Sequence, residues 1–170
     1  YLHHEEELVS EFKRVMTGAK FILREDVEQF ENRMTEYLGV SHVIGVNSGT
    51  DALLLSLACC GIKPGDEVIT VAYTYVATVS AIVHNRAVPV FVDIGTDLNI
   101  DVEKVEAAIT EKTKAILPVH LNGRICDMNK LRNICERYDL MIIEDAAQAT
   151  GARYQNQSAG VFGLTGCFSL

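Results

Sequence analysis

The sequence predicts an α/β fold with a mostly parallel central sheet. Short apolar segments rich in β-branched residues alternate with helical segments along most of the chain, which is the pattern of α/β proteins. The apolar segments lack a clean polar–apolar alternation, so both faces of each strand are predicted to be buried under helices. The length of 170 residues fits one domain or a large piece of one.

The N-terminal segment, residues 1–40, is predicted to form two helices that precede an α/β core, residues 41–170. Asp26 is placed to cap the second helix and Gly39 to end it. Apolar residues recur at helical spacing in two sets, which are Leu8, Phe12 and Val15, then Val27, Phe30, Met34 and Leu38.

The core is predicted to contain five strands and four helices. The predicted strands are 42–46, 67–72, 88–94, 115–121 and 140–146, and the predicted helices are 50–60, 74–85, 101–110 and 127–138. Pro, Gly and Asp indicate turns at 63–67 and 93–97. Because ligands bind outside the carboxyl ends of parallel strands, the polar residues that follow each strand are the candidates for a functional site.

Composition narrows the classes of partner and the compartment. The net charge of −8 argues against a basic surface for nucleic acid or an anionic membrane. No apolar run approaches the ~20 residues of a membrane helix, and the chain does not open on a secretory signal. The five cysteines include no C-x-x-C pair, so we expect reduced thiols, a cytoplasmic location and no metal site.

The tetrad NSGT, residues 47–50, follows one predicted strand and opens a helix. A helix N-terminus carries unpaired N–H groups and the positive end of the helix dipole, Gly49 lets an anion approach the backbone, and Thr50 adds a hydroxyl. A phosphate cradle is one interpretation. A plain helix cap is the other, and the tetrad alone favours the cap. The P-loop and dinucleotide-binding fingerprints are both absent from it.

Other strand ends carry further candidate residues. Asp145 ends a strongly apolar strand, so its carboxylate is poorly solvated unless a cation meets it. Tyr75 offers a flat face for stacking, and Ser169 offers a second hydroxyl. Each has an ordinary alternative: a cap or a magnesium ligand for Asp145, and a core or surface position for Tyr75. Together, on one sheet edge, they match pyridoxal phosphate, which needs a phosphate cradle, an aromatic face and a carboxylate at its ring nitrogen.

Seven sequence blocks also follow one another in the order found in a known family. They are FILREDVEQFE, GVNSGTDALLLSL, GDEVITVAYTYVAT, AVPVFVDI, ILPVHLNGRICDM, IIEDAAQATGA and GCFSL. On these blocks, which span essentially the whole chain, the protein resembles the DegT/DnrJ/StrS sugar aminotransferases of fold type I, the aspartate aminotransferase-like architecture. The resemblance implies that residues 1–170 are the N-terminal part of a three-layer α/β/α, cofactor-binding large domain, with the remainder and a small domain outside this chain.

The resemblance also implies roles for individual residues. His120 is a candidate from its strand-end position alone: it would touch substrate, although such a histidine is more often a satisfied structural group. Asn122 stands near the substrate, where the family usually has an aromatic residue. Arg24 stands where the family often has glycine. The Schiff-base lysine would come five positions after Ser169, beyond Leu170. Six residues would hold pyridoxal phosphate: Gly49, Thr50 and Ser169 at the phosphate, Tyr75 on the ring, Asp145 at the ring nitrogen as the catalytic member, and Gln148 at the O3′ hydroxyl.

The activity implied by the resemblance is transamination of a nucleotide-linked keto-sugar by a homodimer, with glutamate as amino donor. Two alternatives stay open. A sugar dehydratase of the same fold has histidine at the lysine position, and a regulatory homologue keeps the fold without the catalysis.

Overall fold

The computed structural model describes residues 3–19, 21–22 and 25–170. The chain falls into two compact units, Tyr1–Gly45 and Val46–Leu170. Arg24, which departs from the family pattern, lies outside the described residues. The unit boundary lies close to the division predicted between a helical segment and an α/β core.

The first unit contains the two predicted helices, α1 (Glu5–Gly18) and α2 (Glu25–Leu38). Gly39 ends α2 with a φ of +69°, a left-handed conformation that glycine adopts without steric cost. The prediction that Asp26 caps α2 is wrong, because the helix already includes Glu25. The Asp26 carboxylate instead lies in the first turn and accepts a hydrogen bond from Arg14 of α1.

The second unit is built on a parallel five-stranded sheet, as predicted. The strand order is β2-β1-β3-β4-β7, and every neighbouring pair is parallel. These strands are β1 (Glu67–Val71), β2 (Val88–Val92), β3 (Thr113–Ile116), β4 (Met141–Asp145) and β7 (Thr165–Cys167), and a separate antiparallel pair consists of β5 (Arg153–Tyr154) and β6 (Gln157–Ser158).

Four helices accompany these strands, close to the predicted positions. They are α3 (Gly49–Cys59), α4 (Val76–His84), α5 (Val102–Val105), which continues as a 3₁₀ turn, and α6 (Met128–Tyr138). Helix α3 precedes β1, and the other three connect successive strands. The chain moves from β1 to β2 through α4 and then returns across β1 to β3, so the direction of the connections reverses. Because parallel crossovers are right-handed, this reversal puts α4 and α6 on opposite faces of the sheet. In the described part of the chain, no helix is long and apolar enough to cross a membrane.

Two of the predicted strands need correction. The segment 42–46 is not a strand: it pairs with no strand among the described residues, and its Ile44 side chain is 77 % exposed. A β-branched sequence cannot form a ladder without a neighbouring strand. The predicted strand 115–121 ends at Ile116, because Pro118 has no N–H to donate. Beyond it the chain stays beside β4, since the Asp145 N–H donates to the Pro118 carbonyl at 2.9 Å.

The sheet core fixes the position of the strand ends. Leu57, Ile69, Ile82, Ile116 and Ile143 are fully buried between the sheet and its helices. Fully burying one such side chain stabilises the fold by about 1.5–3 kcal/mol. The reversal between β2 and β3 opens a crevice outside the carboxyl ends of β1 and β3, which is where α/β sheets bind ligands.

Candidate functional site

A cavity of about 130 Å³ opens at this sheet edge. Its walls come from the N-terminus of α3, the β1–α4 connection, the segments after β3 and β4, and the segment after β7. The fold thus brings together parts of the chain that are far apart in sequence. All six residues that the sequence predicted to hold the cofactor line the cavity: Gly49, Thr50, Tyr75, Asp145, Gln148 and Ser169.

The N-terminus of α3 offers backbone donors to the cavity. Ser48 is the N-cap, and its Oγ accepts a hydrogen bond from the Asp51 N–H at 3.1 Å. The Ala52 N–H donates to the Ser48 carbonyl at 2.9 Å. Within the part of the chain that the structure describes, no hydrogen bond is recorded for the N–H groups of Gly49 and Thr50. Ser48 therefore serves as the cap, and two donors remain for an anion at the positive end of the helix.

Gly49 is required by the close packing of α3 against the segment that follows β7. A Cβ added at position 49 would lie 2.9 Å from the Ser169 Cβ and 3.3 Å from the Phe168 carbonyl oxygen. Real Cβ atoms do not approach so closely, so a larger residue would push the two segments apart. The absence of a side chain keeps the Ser169 hydroxyl next to the N-terminus of α3.

Asp145, at the end of β4, is a buried carboxylate facing the cavity. Its side chain accepts from the Thr78 hydroxyl at 2.7 Å through Oδ2 and from the Ala147 N–H at 3.2 Å through Oδ1. Burial raises the pKa of Asp145, and these two hydrogen bonds together with the nearby His120 offset only part of that rise. No cation among the described residues forms an ion pair with Asp145. A positively charged ring nitrogen in the cavity would provide that missing partner.

Tyr75 and Gln148 lie at the mouth of the cavity. Tyr75 is the N-cap residue of α4 and is 72 % exposed, so its ring is available for stacking. The Gln148 Oε1 accepts from the Asn122 N–H at 2.9 Å. This contact orients the Gln148 amide and leaves its NH₂ group as a donor. Asn122, the other candidate for a substrate contact, is exposed, adopts a φ of +54° and does not line the cavity. Its link to the site is the hydrogen bond from its N–H to Gln148.

His120 requires a correction. Its strand-end position made it a candidate substrate contact, with a satisfied structural group as the more frequent alternative. The structure supports that alternative, because the side chain is completely buried and does not line the cavity. The Cys126 N–H donates to Nδ1 at 3.3 Å, so the ring proton lies on Nε2, which donates to Glu144 at 2.9 Å. Both ring nitrogens are therefore occupied in the interior. At this strand end the residues that line the cavity are Val119 and Leu121.

Sequence reasoning missed the side chains that support Asp145. Thr78 was read only as part of a helix, yet its hydroxyl holds the carboxylate, and Thr74 hydrogen-bonds Thr78 at 2.8 Å. The only available signal was two threonines one helical turn apart, directly after a strand end. Such a pair is common in helices and indicates nothing by itself.

Comparison with known proteins identifies the family. The family model described as the DegT/DnrJ/EryC1/StrS aminotransferase family matches residues 3–170. The chain belongs to this family. Similar relatives of this aminotransferase-family chain include a pleiotropic regulatory protein of Geobacillus stearothermophilus, 44 % identical over 96 % of the chain, and a GDP-perosamine synthase of Caulobacter vibrioides, 45 % identical over 85 %.

A solved structure also resembles the aminotransferase-family chain. NtdA of Bacillus subtilis, with bound cofactor PMP, is 41 % identical and covers 91 % of the chain with a TM-score of 0.86. The chain spans 44 % of the regulatory protein, 39 % of the synthase and 36 % of the NtdA chain. It therefore corresponds to less than half the length of each of these proteins.

Proposed function

We propose that the chain is the N-terminal part of the cofactor-binding large domain of a pyridoxal-phosphate-dependent sugar aminotransferase. One observation carries the proposal: a desolvated carboxylate, Asp145, and the free N–H groups at the start of α3 line the same cavity. A cationic ring and an anionic phosphate at two ends of one small molecule match this pair of groups. The family, and the PMP bound to NtdA, support the same cofactor.

The residues present fit pyridoxal phosphate. The N–H groups of Gly49 and Thr50 and the Ser169 hydroxyl would hold the phosphate, because a helix N-terminus stabilises an anion. Tyr75 would stack on the ring, and the Gln148 amide would donate to the O3′ oxygen. When bound, the cofactor supplies an electron sink that stabilises negative charge beside the amino group being transferred.

Asp145 is the residue of this chain that would control the protonation of the cofactor ring. Its carboxylate would hold a proton on the ring nitrogen, and the low dielectric of its buried position strengthens that interaction. The phosphate contacts would keep the cofactor in place, and Tyr75 would fix the plane of the ring. By family resemblance, a lysine five positions after Ser169 would carry the cofactor and move the proton.

The substrates, the assembly and the compartment are finer parts of the same proposal. A nucleotide-linked keto-sugar and glutamate as amino donor follow from the family resemblance, and the relative named as a GDP-perosamine synthase supports a nucleotide sugar. A homodimer would cover the apolar surface at the mouth of the cavity, where Val76 is 65 % exposed beside Tyr75. A cytoplasmic location is supported by five cysteines that are all free thiols.

The proposal can be tested with the full-length protein. Purified protein mixed with pyridoxal phosphate should acquire a visible absorbance band that glutamate bleaches, and it should then aminate a nucleotide-linked keto-sugar. Asp145→Ala should remain folded and lose transamination. Asp93→Ala is a matched control, because Asp93 also follows a strand end but its side chain is 76 % exposed, and this variant should keep its activity. Normal turnover in Asp145→Ala would overturn the proposal.

A second candidate is a regulatory homologue that keeps the fold without catalysis. The similarity to the pleiotropic regulatory protein of Geobacillus stearothermophilus favours it. The residue five positions after Ser169 in the full-length protein separates the candidates. Lysine together with glutamate-dependent bleaching supports the aminotransferase. Histidine at that position with loss of a sugar hydroxyl supports the dehydratase, and a folded protein that binds no cofactor supports the regulator.

A further inference from the structure

A chain of two threonine hydroxyls leads from the cavity wall to the Asp145 carboxylate. Thr78 donates to Asp145 Oδ2 at 2.7 Å, and Thr74 Oγ1 lies 2.8 Å from Thr78 Oγ1. A hydroxyl has one proton to donate. Since Thr78 gives its proton to Asp145, the Thr74 hydroxyl must donate to Thr78, and the direction of the chain is fixed. Donation by Thr74 makes Thr78 a stronger donor.

Thr78 lies in the first turn of α4, and the residue four positions earlier, Thr74, precedes that helix. A threonine further along a helix can bond the carbonyl four residues earlier in the same helix. Thr35 in α2 does so, donating to the Glu31 carbonyl at 2.8 Å. Thr78 instead reaches β4, 67 residues further along the chain, although it is completely buried in α4. The bond to Asp145 therefore does not serve the local helix.

The two donors to Asp145 also fix the orientation of the carboxylate relative to the cavity. Thr78 occupies one lone pair of Oδ2, and the Ala147 N–H occupies one lone pair of Oδ1. A carboxylate has about four lone-pair sites, so each oxygen retains one. With both oxygens held from the protein side, the carboxylate cannot rotate freely, and a free acceptor site remains for a ligand in the cavity that Asp145 lines.

We propose that Thr78, with Thr74 as its own donor, is a positioning residue that keeps the Asp145 carboxylate ionised and oriented toward the ring nitrogen of the cofactor. The proposal rests on the proposed function, because it names how the same site controls the cofactor. Thr78 does not line the cavity, so it acts through Asp145 and not on the cofactor directly.

Two substitutions at position 78 separate the hydroxyl from the shape of the side chain. Thr78→Val keeps the shape and removes the donor, and Thr78→Ser keeps the donor. In the full-length protein we expect Thr78→Val to weaken pyridoxal phosphate binding about 10- to 100-fold, the effect of losing a hydrogen bond to a charged group. Thr78→Ser should bind within about 3-fold of wild type. Thr35→Val is the matched control, since it removes a hydroxyl bond that is local to α2, and it should bind normally.

Two readouts distinguish positioning from a merely structural role. With pyridoxal phosphate labelled with ¹⁵N in the ring, the nitrogen resonance of Thr78→Val should move toward that of the unprotonated ring, and that of Thr78→Ser should not. In the Asp145→Asn background, Thr78→Val should have little further effect on the affinity, because the residue it serves is already neutral.

Each outcome decides the question. If wild type binds no pyridoxal phosphate, the proposed function fails, and this inference fails with it. If wild type binds and Thr78→Val leaves both affinity and nitrogen resonance unchanged, or if the effects of Thr78→Val and Asp145→Asn are additive, Thr78 is structural and the inference is overturned. Should Thr78→Val fail to fold, Thr74→Val tests the same chain from its other end: a smaller loss of affinity, about 3-fold, supports the inference, and no change overturns it.

Discussion

Two buried carboxylates follow each other at the end of β4, and their surroundings differ. Glu144 accepts hydrogen bonds from the His120 Nε2 at 2.9 Å and from three backbone N–H groups, those of Gly160 at 2.8 Å and of Phe162 and Gly163 at 2.6 Å each. Asp145 accepts only two hydrogen bonds among the described residues and lines a cavity.

The difference separates a carboxylate whose hydrogen-bonding capacity is filled by the chain itself from one whose capacity stays partly open toward a cavity. Consecutive residues of a strand point to opposite faces of the sheet, so Glu144 and Asp145 meet different layers. Glu144 faces four donors that the chain itself supplies. Asp145 is desolvated with too few donors, which is why its pKa is raised. Burying the Asp145 carboxylate costs free energy, because no cation among the described residues pairs with it. A bound cation would offset that cost.

The largest effect on stability is expected from Glu144→Gln. The glutamine has only one acceptor oxygen, and its NH₂ group would confront backbone N–H donors. We expect the free energy of unfolding of the full-length protein to fall by about 3–5 kcal/mol, because two buried donors would lose their acceptor at about 1–3 kcal/mol each. Urea denaturation followed by circular dichroism measures it. Glu103→Gln, which breaks an exposed pair with Lys130, should change little. Similar stability of the two variants would remove the contrast between Glu144 and Asp145.

Asp145→Asn should show the opposite pattern, with a large effect on activity and a small effect on stability. Asparagine keeps the shape and still accepts from Ala147, but it cannot hold a proton on the ring nitrogen. We expect kcat of the full-length enzyme to fall about 10²–10³-fold, the size of effect seen when a preorganised electrostatic contact is removed. The unfolding free energy without cofactor should change by less than about 1 kcal/mol. A variant that unfolds as readily as Glu144→Gln would assign Asp145 to the fold.

The sequence was sufficient to predict that Asp145 is a poorly solvated carboxylate at a strand end, because this signal is local. A carboxylate directly after a strongly apolar strand needs a partner, wherever the rest of the chain goes. The NSGT tetrad is local in the same sense, since cap, glycine and threonine are consecutive. The four helices were predictable from helical spacing, and the strands β1, β2, β3 and β4 from short apolar segments rich in β-branched residues, for the same reason.

The hydrogen-bond donors to Glu144, and the threonines that support Asp145, were not predictable, because they are distant from these residues in sequence. The three backbone donors to Glu144 lie in a loop after the short hairpin of β5 and β6, whose two-residue strands leave no periodicity. Thr78 reaches Asp145 only once α4 packs beside β4. The segment 42–46 was wrongly predicted for a related reason. Its composition favours a strand, but a strand also needs a neighbouring strand to pair with, and composition does not reveal one.

Gly49→Ala tests the other end of the cavity, with a moderate effect. The new Cβ would press on the Ser169 Cβ at 2.9 Å, and overpacking of this kind costs about 1–3 kcal/mol. Cofactor affinity should fall as well, because the N-terminus of α3 and the Ser169 hydroxyl would move apart. The double variant Gly49→Ala with Ser169→Gly removes the clashing atom and should recover the stability without the affinity. Recovery of both would show that the hydroxyl contributes nothing to binding.

The smallest effect is a pH dependence of stability that comes from Asp145. Burial raises the pKa of Asp145 above its ordinary value of 3.8, so the folded protein holds this proton to a higher pH than the unfolded chain does. As pH rises from 3.8 through the raised pKa, the folded state binds more protons than the unfolded state, and the free energy of unfolding falls.

The test compares the free energy of unfolding of wild type with that of Asp145→Asn, measured in urea without cofactor over a range of pH. As pH rises through the raised pKa, the variant should become more stable relative to wild type, since it has no proton to lose at this position. Above that pKa the difference in unfolding free energy should stay constant. Saturating pyridoxal phosphate should abolish that advantage, because a cation beside the carboxylate lowers its pKa. A difference independent of pH would mean that the cavity leaves Asp145 solvated, and the physical distinction between it and Glu144 would then rest on geometry alone.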